Sequence, residues 1–180
     1  VVGGAVEFDT LGRVIRQWVP FLDTASATFR PVSLVTDHSS LATVSYAYDA
    51  AGRLLTTTDP DGSISATSYD DWVVTSTDAK GSRTRRTADA SGRLVKVEEF
   101  NGTEVYTTTY QYDTLNNLLQ VTDAQGHVTR ITYDSLSRKL SMNDPDMGAW
   151  SYVYDAVDNL IQQTDARGVA ITFTYDALNR

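Results

Sequence analysis

The feature that most constrains the fold is a Tyr-Asp pair that recurs along the chain. It occurs at Tyr48-Asp49, Tyr69-Asp70, Tyr112-Asp113, Tyr133-Asp134, Tyr154-Asp155 and Tyr175-Asp176. Four of the five intervals between successive pairs are 21 residues, and the remaining one is 43 residues, about two units. A fixed period of this length is the signature of a repeat architecture in which each unit is one supersecondary element.

Two turn signals fall within each unit. The first follows the pair, as in Tyr48-Asp49-Ala50-Ala51-Gly52, and variant copies stand at Phe8-Asp9-Thr10-Leu11-Gly12 and Ala88-Asp89-Ala90-Ser91-Gly92. The second lies between copies, at Asp59-Pro60-Asp61-Gly62, Asp78-Ala79-Lys80-Gly81, Asn101-Gly102, Asp123-Ala124-Gln125-Gly126, Asp144-Pro145-Asp146-Met147-Gly148 and Asp165-Ala166-Arg167-Gly168. An Asp side chain can accept from the backbone two residues on, and Gly adopts the left-handed conformation that closes a hairpin. Each unit therefore predicts two turns and two strands, with turn capping as the main role of the Asp.

The segments between the turns alternate in polarity. Aromatic and apolar residues are predicted to share one face in the sets Val44, Tyr46, Tyr48; Tyr106, Thr108, Tyr110, Tyr112; Trp150, Tyr152, Tyr154; and Ile171, Phe173, Tyr175. Of the 23 acidic residues 19 are Asp and only four are Glu, so strong helix formers are scarce. The sequence predicts an all-β fold of antiparallel β-hairpin repeats of about 21 residues, joined side by side into a strip of sheet.

The repeat pattern is weaker in the first quarter of the chain. Residues 1–43 are predicted to hold degenerate first repeats and an irregular connection, because Trp18-Val19-Pro20-Phe21-Leu22 and Phe29-Arg30-Pro31 break the alternation. Residues 44–180 are predicted to form the regular array. The sequence stops where another hairpin would turn, which indicates a truncated segment of a longer array.

Composition removes several functional classes. Cysteine is absent, and the net charge of −8 disfavours a nucleic-acid partner. No apolar run approaches the roughly 20 residues of a transmembrane helix. The two histidines, His38 and His127, are 89 residues apart and fit no metal or triad pattern. We therefore predict no catalytic, cofactor-binding or metal-binding residues, while weak calcium binding by stacked Asp turns stays open.

The repeat resembles the YD repeat of the bacterial RHS family, which also occurs in shell-forming components of Tc toxin complexes and in teneurins. The resemblance rests on Tyr48-Asp49-Ala50-Ala51-Gly52-Arg53-Leu54, Tyr112-Asp113-Thr114-Leu115-Asn116-Asn117-Leu118 and Tyr154-Asp155-Ala156-Val157-Asp158-Asn159-Leu160, with Asp-x-x-Gly between them. It implies a strip that spirals into a hollow shell around a C-terminal toxin. The family's Asp-Pro-x-Gly-Leu cleavage junction is not matched, since Ser63 follows Asp59-Pro60-Asp61-Gly62.

The resemblance favours a non-enzymatic, secreted or cell-surface protein that protects a cargo polypeptide. Its implied partners are the rest of the same shell, the enclosed toxin and a secretion or translocation component. The Tyr, Asp and Gly residues named above for the repeat would then be structural. The alternative is a cell-surface recognition module that binds glycan or protein, and a glycosidase that uses two of the periodic Asp residues is a poorer third interpretation.

Overall fold

A computed structural model describes residues 5–19 and 42–180, which divide between residues 85 and 86 into two compact units. All regular elements in these ranges are β-strands. The first unit contains β1 (Val6–Phe8), β2 (Val14–Trp18), β3 (Thr43–Tyr48), β4 (Leu54–Thr58), β5 (Ile64–Asp70) and β6 (Val73–Thr77). Strand β7 (Arg83–Ala88) contains the residues at which the two units divide. The second unit contains β8 (Leu94–Asn101), β9 (Glu104–Tyr112), β10 (Leu118–Thr122), β11 (Val128–Tyr133), β12 (Lys139–Asp144), β13 (Gly148–Tyr154), β14 (Leu160–Thr164) and β15 (Ala170–Thr172).

Within each unit every strand pairs antiparallel with the strand that follows it in the chain. This sequential order is what two turns per repeat produce, because a short turn joins only antiparallel neighbours. The predicted all-β hairpin fold is confirmed, and the connections at 49–53, 59–62, 113–117, 123–126, 134–138, 144–148, 155–159 and 165–168 fall where the turn signals stand.

The turns that follow the Tyr-Asp pairs share one backbone geometry. At residues 49–53 the Gly52 N–H donates to the Asp49 carbonyl at 3.0 Å, and the Asp49 N–H donates to the Arg53 carbonyl at 2.9 Å. Gly52 has φ +83°, and the strand register shifts between Ala47 and Tyr48. This is a type I turn closed by a left-handed residue and a bulge, which is why glycine recurs at the fourth position.

In β13 the alternating pattern places the aromatic residues on the more covered face, whereas Tyr106, Ile171 and Tyr175 of the other predicted sets are exposed. In β13 the side chains of Trp150, Tyr152 and Tyr154 are half-buried, whereas Ser151 and Val153 between them are exposed. In the described ranges, however, no side chain is fully buried. Among the described residues, the aromatic side chains are therefore covered by neighbouring strands of the same sheet.

Strands β2 and β3 are adjacent although 24 residues separate them in the chain. Arg16 pairs with Ser45 and Trp18 pairs with Thr43. The hairpin at Phe8-Asp9 therefore continues directly into the hairpin at Tyr48-Asp49. The predicted irregular segments Pro20-Phe21-Leu22 and Phe29-Arg30-Pro31 lie outside the described residues, and the division at residue 43 stays a prediction.

Candidate functional site

The most regular feature of the structure is the carboxylate at the start of each Tyr-Asp turn. The Asp134 Oδ1 accepts from the backbone N–H groups of Leu136 and Arg138, both at 2.9 Å. Its Oδ2 accepts from the Arg138 Nε at 2.6 Å. One carboxylate thus satisfies two backbone donors of the turn and pairs with the guanidinium that follows it, which makes the turn rigid.

The same arrangement recurs at the variant copies and at five of the six Tyr-Asp pairs. The Asp side chain accepts from the backbone N–H two and four residues on at Asp9, Asp49, Asp89, Asp113, Asp134, Asp155 and Asp176. The residue four positions on is Arg at 13, 53, 93, 138 and 180, and Asn at 117 and 159. Both residue types donate an N–H to the second carboxylate oxygen, so they are interchangeable here.

At four of the described turns the Arg or Asn also reaches the next turn. The Arg138 Nη1 donates to the Asp155 carbonyl at 3.2 Å and to the Asp158 Oδ1 at 2.7 Å. The Arg93 Nη1 makes the corresponding bond to the Asp113 carbonyl at 2.9 Å, and the Asn159 Nδ2 donates to the Asn179 Oδ1 at 3.1 Å. We call the capping Asp, its Arg or Asn, and the Tyr before the next Asp the turn ladder, because it links successive hairpins within each unit.

The tyrosines of the turn ladder bond to the backbone of the preceding hairpin. The Tyr112 hydroxyl donates to the Leu94 carbonyl at 3.0 Å, and the Arg93 guanidinium lies 5.2 Å from the centre of the Tyr112 ring. The same hydroxyl bond is made by Tyr48, Tyr69 and Tyr175, to the carbonyls of Val14, Leu54 and Leu160. An Arg guanidinium likewise lies over the ring of Tyr48, Tyr69 and Tyr154, so the Tyr of one repeat contacts the Arg of the preceding hairpin.

Tyr69-Asp70 departs from the predicted capping role. Asp70 is the last residue of β5 and pairs with Val73, the first residue of β6, so only two residues connect these strands. Asp71 in this connection has φ +46°. With Asp70 held in the strand pairing, too few residues remain to form the capped turn. The sequence itself shows this difference. The third residue after Asp70 is Val73, whereas the third residue after the capping Asp of the other copies is Gly, Asn, Ser or Asp.

The turns between copies use a related cap. The Asp123 Oδ1 accepts from the N–H groups of Gln125 and His127, and the His127 Nδ1 lies 2.9 Å from the Asp123 Oδ2. His127 thus takes the position that Arg occupies in the turn ladder, a role that the sequence analysis did not assign to it. His38 lies outside the described residues.

Hydrogen bonding lowers the pKa of the capping carboxyl groups below their ordinary value. At Asp134 the main cause is the bond from the Arg138 backbone, which outweighs an opposing desolvation, and the Arg138 guanidinium adds to it. At Asp89 the Arg93 side chain is the first cause of the lowered pKa. The pKa values of Asp9, Asp49, Asp113, Asp155 and Asp176 are lowered as well. The ionised carboxylate is therefore the form that stabilises each turn.

We expect acid to destabilise this protein. A carboxyl group whose pKa is lower in the folded state stabilises fully above its unfolded pKa, close to the ordinary 3.8, and loses that contribution as the pH falls through the folded value. The thermal midpoint measured by circular dichroism should be nearly equal at pH 7 and pH 5 and lower at pH 3, below the unfolded pKa of these groups.

Asp134→Asn is the matched variant for this test, because its amide oxygen still accepts from the backbone but its nitrogen cannot accept from Arg138. It should melt below the wild-type protein at pH 7, and the gap should shrink at pH 3, because the carboxyl group of the unfolded wild-type chain is then mostly protonated and the advantage of the ionised form is smaller. A midpoint that stays constant or rises on acidification would contradict the assignment of these carboxylates.

The site has few groups that are free for chemistry. The capping carboxylates are occupied by backbone N–H groups, Arg and Asn, and no group of three or more His, Asp or Glu suited to a metal ion occurs in the described part of the chain. Over the same residues no helix qualifies as a membrane span. The arrangement joins neighbouring hairpins within each unit.

Comparison with known proteins agrees with this geometry. The family model described as RHS Repeat matches residues 30–64, 88–128, 112–146 and 154–180, which is more than half of the chain. The fold is thus that of an antiparallel hairpin-repeat protein, and the chain belongs to the RHS repeat family. No curated protein matches it.

Solved structures share the fold. The crystal structure of TcdB2-TccC3 matches with a TM-score of 0.80 and 20% identity over 96% of this chain. That of TcdB2-TccC3-Cdc42 matches with a TM-score of 0.79 and 19% identity over 95% of this chain. The Photorhabdus luminescens Tc holotoxin pore gives a TM-score of 0.76 and 20% identity over 95%. This chain spans 10% of the length of each of those chains.

Proposed function

We propose that this chain is a non-catalytic wall segment of an RHS or Tc-type toxin shell that encloses and protects a C-terminal toxin polypeptide. The observation that carries the proposal is the turn ladder, in which the recurring Asp, Arg, Asn and Tyr side chains bind neighbouring hairpins to one another. Residues used in this way stiffen a sheet. Membership of the RHS repeat family and the fold shared with Tc toxin structures support the same interpretation.

A wall of this kind has a physical advantage for a toxin. A polypeptide held inside a closed sheet is inaccessible to proteases and cannot act on the cell that makes it. The proposed partners are accordingly the remainder of the shell and the enclosed polypeptide, together with a secretion or translocation component. Release outside the producing cell, as a secreted or surface-bound protein, completes the proposal.

Limited proteolysis of the full-length protein tests this function. Proteinase K should leave the polypeptide that follows the repeats intact for at least tenfold longer than the same polypeptide produced alone. The control is the full-length protein with an engineered protease site in the turn at residues 123–126, where cleavage should open the wall and abolish the protection. Equal degradation rates for the enclosed and the isolated polypeptide would contradict the proposal and favour a surface recognition module.

A further inference from the structure

The tips of the Tyr-Asp turns carry exposed aliphatic side chains at one repeated position, the second residue after the capping Asp. Among the residues that the structure describes, the five most exposed large apolar side chains all stand at this position, with 61–72% of their surface exposed: Leu11, Leu115, Leu136, Val157 and Leu178. Single exposed apolar residues are common on protein surfaces, whereas a contiguous group of them marks a contact surface.

The turn itself does not require an aliphatic residue at this position. Ser91 occupies it in the turn of residues 89–93, where Asp89 makes the same capping bonds. In the turns between copies, at the other ends of the strands, the corresponding residues are polar or charged: Asp61, Lys80, Gln125, Asp146 and Arg167. The aliphatic residues at this position therefore belong to one rim of each unit, and the turn chemistry does not account for them.

We call the four such residues of the second unit, Leu115, Leu136, Val157 and Leu178, the aliphatic rim. Two strands separate successive turns, so the tips lie about 10 Å apart. The residues on either side of each aliphatic residue are small and uncharged, except for Asp158, whose carboxylate accepts from the Arg138 Nη1 at 2.7 Å. The aliphatic rim is thus an apolar row without unpaired charge, on a chain whose net charge is −8.

We propose that two copies of this protein associate through the aliphatic rim. A second rim, related to the first by a two-fold axis, has the same spacing of about 10 Å, so each Leu or Val can insert between two tips of its partner. Because the rim has no unpaired charge, the copies meet there without close like-charge contacts. The opposite rim is a poor partner, because Asp146 and Arg167 would lose water against aliphatic side chains.

The size of the aliphatic rim sets the strength of this association. Four side chains that each expose on the order of 100 Å² make a patch of about 400 Å², comparable to the largest apolar patch of a typical monomer. Two facing rims would bury about 800 Å², which is less than the roughly 1,200–2,000 Å² of a stable interface. We therefore expect a weak dimer, with a dissociation constant on the order of 100 µM. This goes beyond the proposed wall function, because a wall segment needs no second molecule.

Sedimentation equilibrium of the full-length protein tests the proposal. Between about 1 and 300 µM the weight-average mass should rise from one copy towards two. The dissociation constant should not increase between 50 and 500 mM NaCl, since the contact is apolar. The double change Leu136→Ser with Val157→Ser should weaken the association at least tenfold. Serine suits this test because the turn of residues 89–93 already carries it at the same position.

Gln125→Ser is the matched control, because Gln125 holds the corresponding exposed position in a turn of the opposite rim, and it should associate like the wild-type protein. At 1 µM, where the protein is monomeric, both variants should keep the wild-type thermal midpoint. The proposal is wrong if the wild-type protein stays monomeric at 300 µM, or if Gln125→Ser weakens association as much as the double change. It is equally wrong if the double change lowers the midpoint of the monomer, which would show that the rim is covered within one molecule.

Discussion

Replacing Gly148 with alanine should lower the free energy of unfolding by about 3 kcal/mol, which corresponds to a thermal midpoint roughly 6–12 °C lower. Gly148 has φ +73°, a conformation that costs an L-residue about 1–2 kcal/mol. A Cβ at this position would also lie 2.5 Å from the Ala166 Cβ in the neighbouring turn. Because Ala166 has no flexible side chain to move aside, the backbone must shift to relieve the overlap.

Gly168→Ala separates these two costs. Gly168 has φ +77°, and its Cβ would have no neighbour within 4 Å, so this variant should lose only about 1–2 kcal/mol. Adding Ala166→Gly to Gly148→Ala should recover at least about 1 kcal/mol of the loss, measured as a coupling energy in chemical denaturation. The close approach of the two turns would be contradicted if Gly148→Ala were as stable as Gly168→Ala. It would also be contradicted if Ala166→Gly and Gly148→Ala showed no coupling energy.

Replacing Tyr112 with alanine should cost about 3 kcal/mol, because the change removes both the half-buried ring and the hydroxyl bond to Leu94. Tyr112→Phe should cost only about 1 kcal/mol, since the ring stays between the strands and the Leu94 carbonyl alone loses its partner. Equilibrium unfolding in urea, followed by circular dichroism, measures both values. The two variants together separate the packing of the turn ladder from its hydrogen bonding.

Tyr106→Ala is the control on the same strand. Tyr106 is 44% exposed and its hydroxyl bonds to the Glu104 side chain, not to the backbone of a neighbouring strand. Its loss should cost less than about 1 kcal/mol. If Tyr106→Ala and Tyr112→Ala destabilise equally, the tyrosines of the repeat act only as general strand formers and the turn ladder is not what couples the hairpins.

The fold was predictable because its determinants are local. An Asp at the start of a turn, a residue with positive φ at its end and alternating polarity between turns specify a hairpin without reference to the rest of the chain. Val157-Asp158-Asn159 shows that more than one residue type is tolerated, since Asp158 takes φ +70° at the position that glycine occupies at residues 12, 52 and 92. Antiparallel neighbours then follow in chain order, because no long connection separates the described hairpins beyond β3.

The contacts between turns were beyond sequence reasoning. The repeat indicated that Tyr and Arg recur, but the placement of Arg93 on the Tyr112 ring depends on the stagger between adjacent hairpins. The departure at Tyr69-Asp70 was missed for a related reason. The 21-residue spacing gives only the number of residues in a repeat. It does not show that Asp71 and Trp72 form a two-residue connection, in which more of the repeat belongs to the strands and less to the turn.

Electron cryomicroscopy of the full-length protein tests the central claim most directly. We predict that the hairpins of residues 42–180 form part of a closed wall, and that the cavity inside it contains density for the polypeptide that follows the repeats. A sheet with both faces open to solvent, and with the downstream polypeptide folded outside it, would contradict the proposed container.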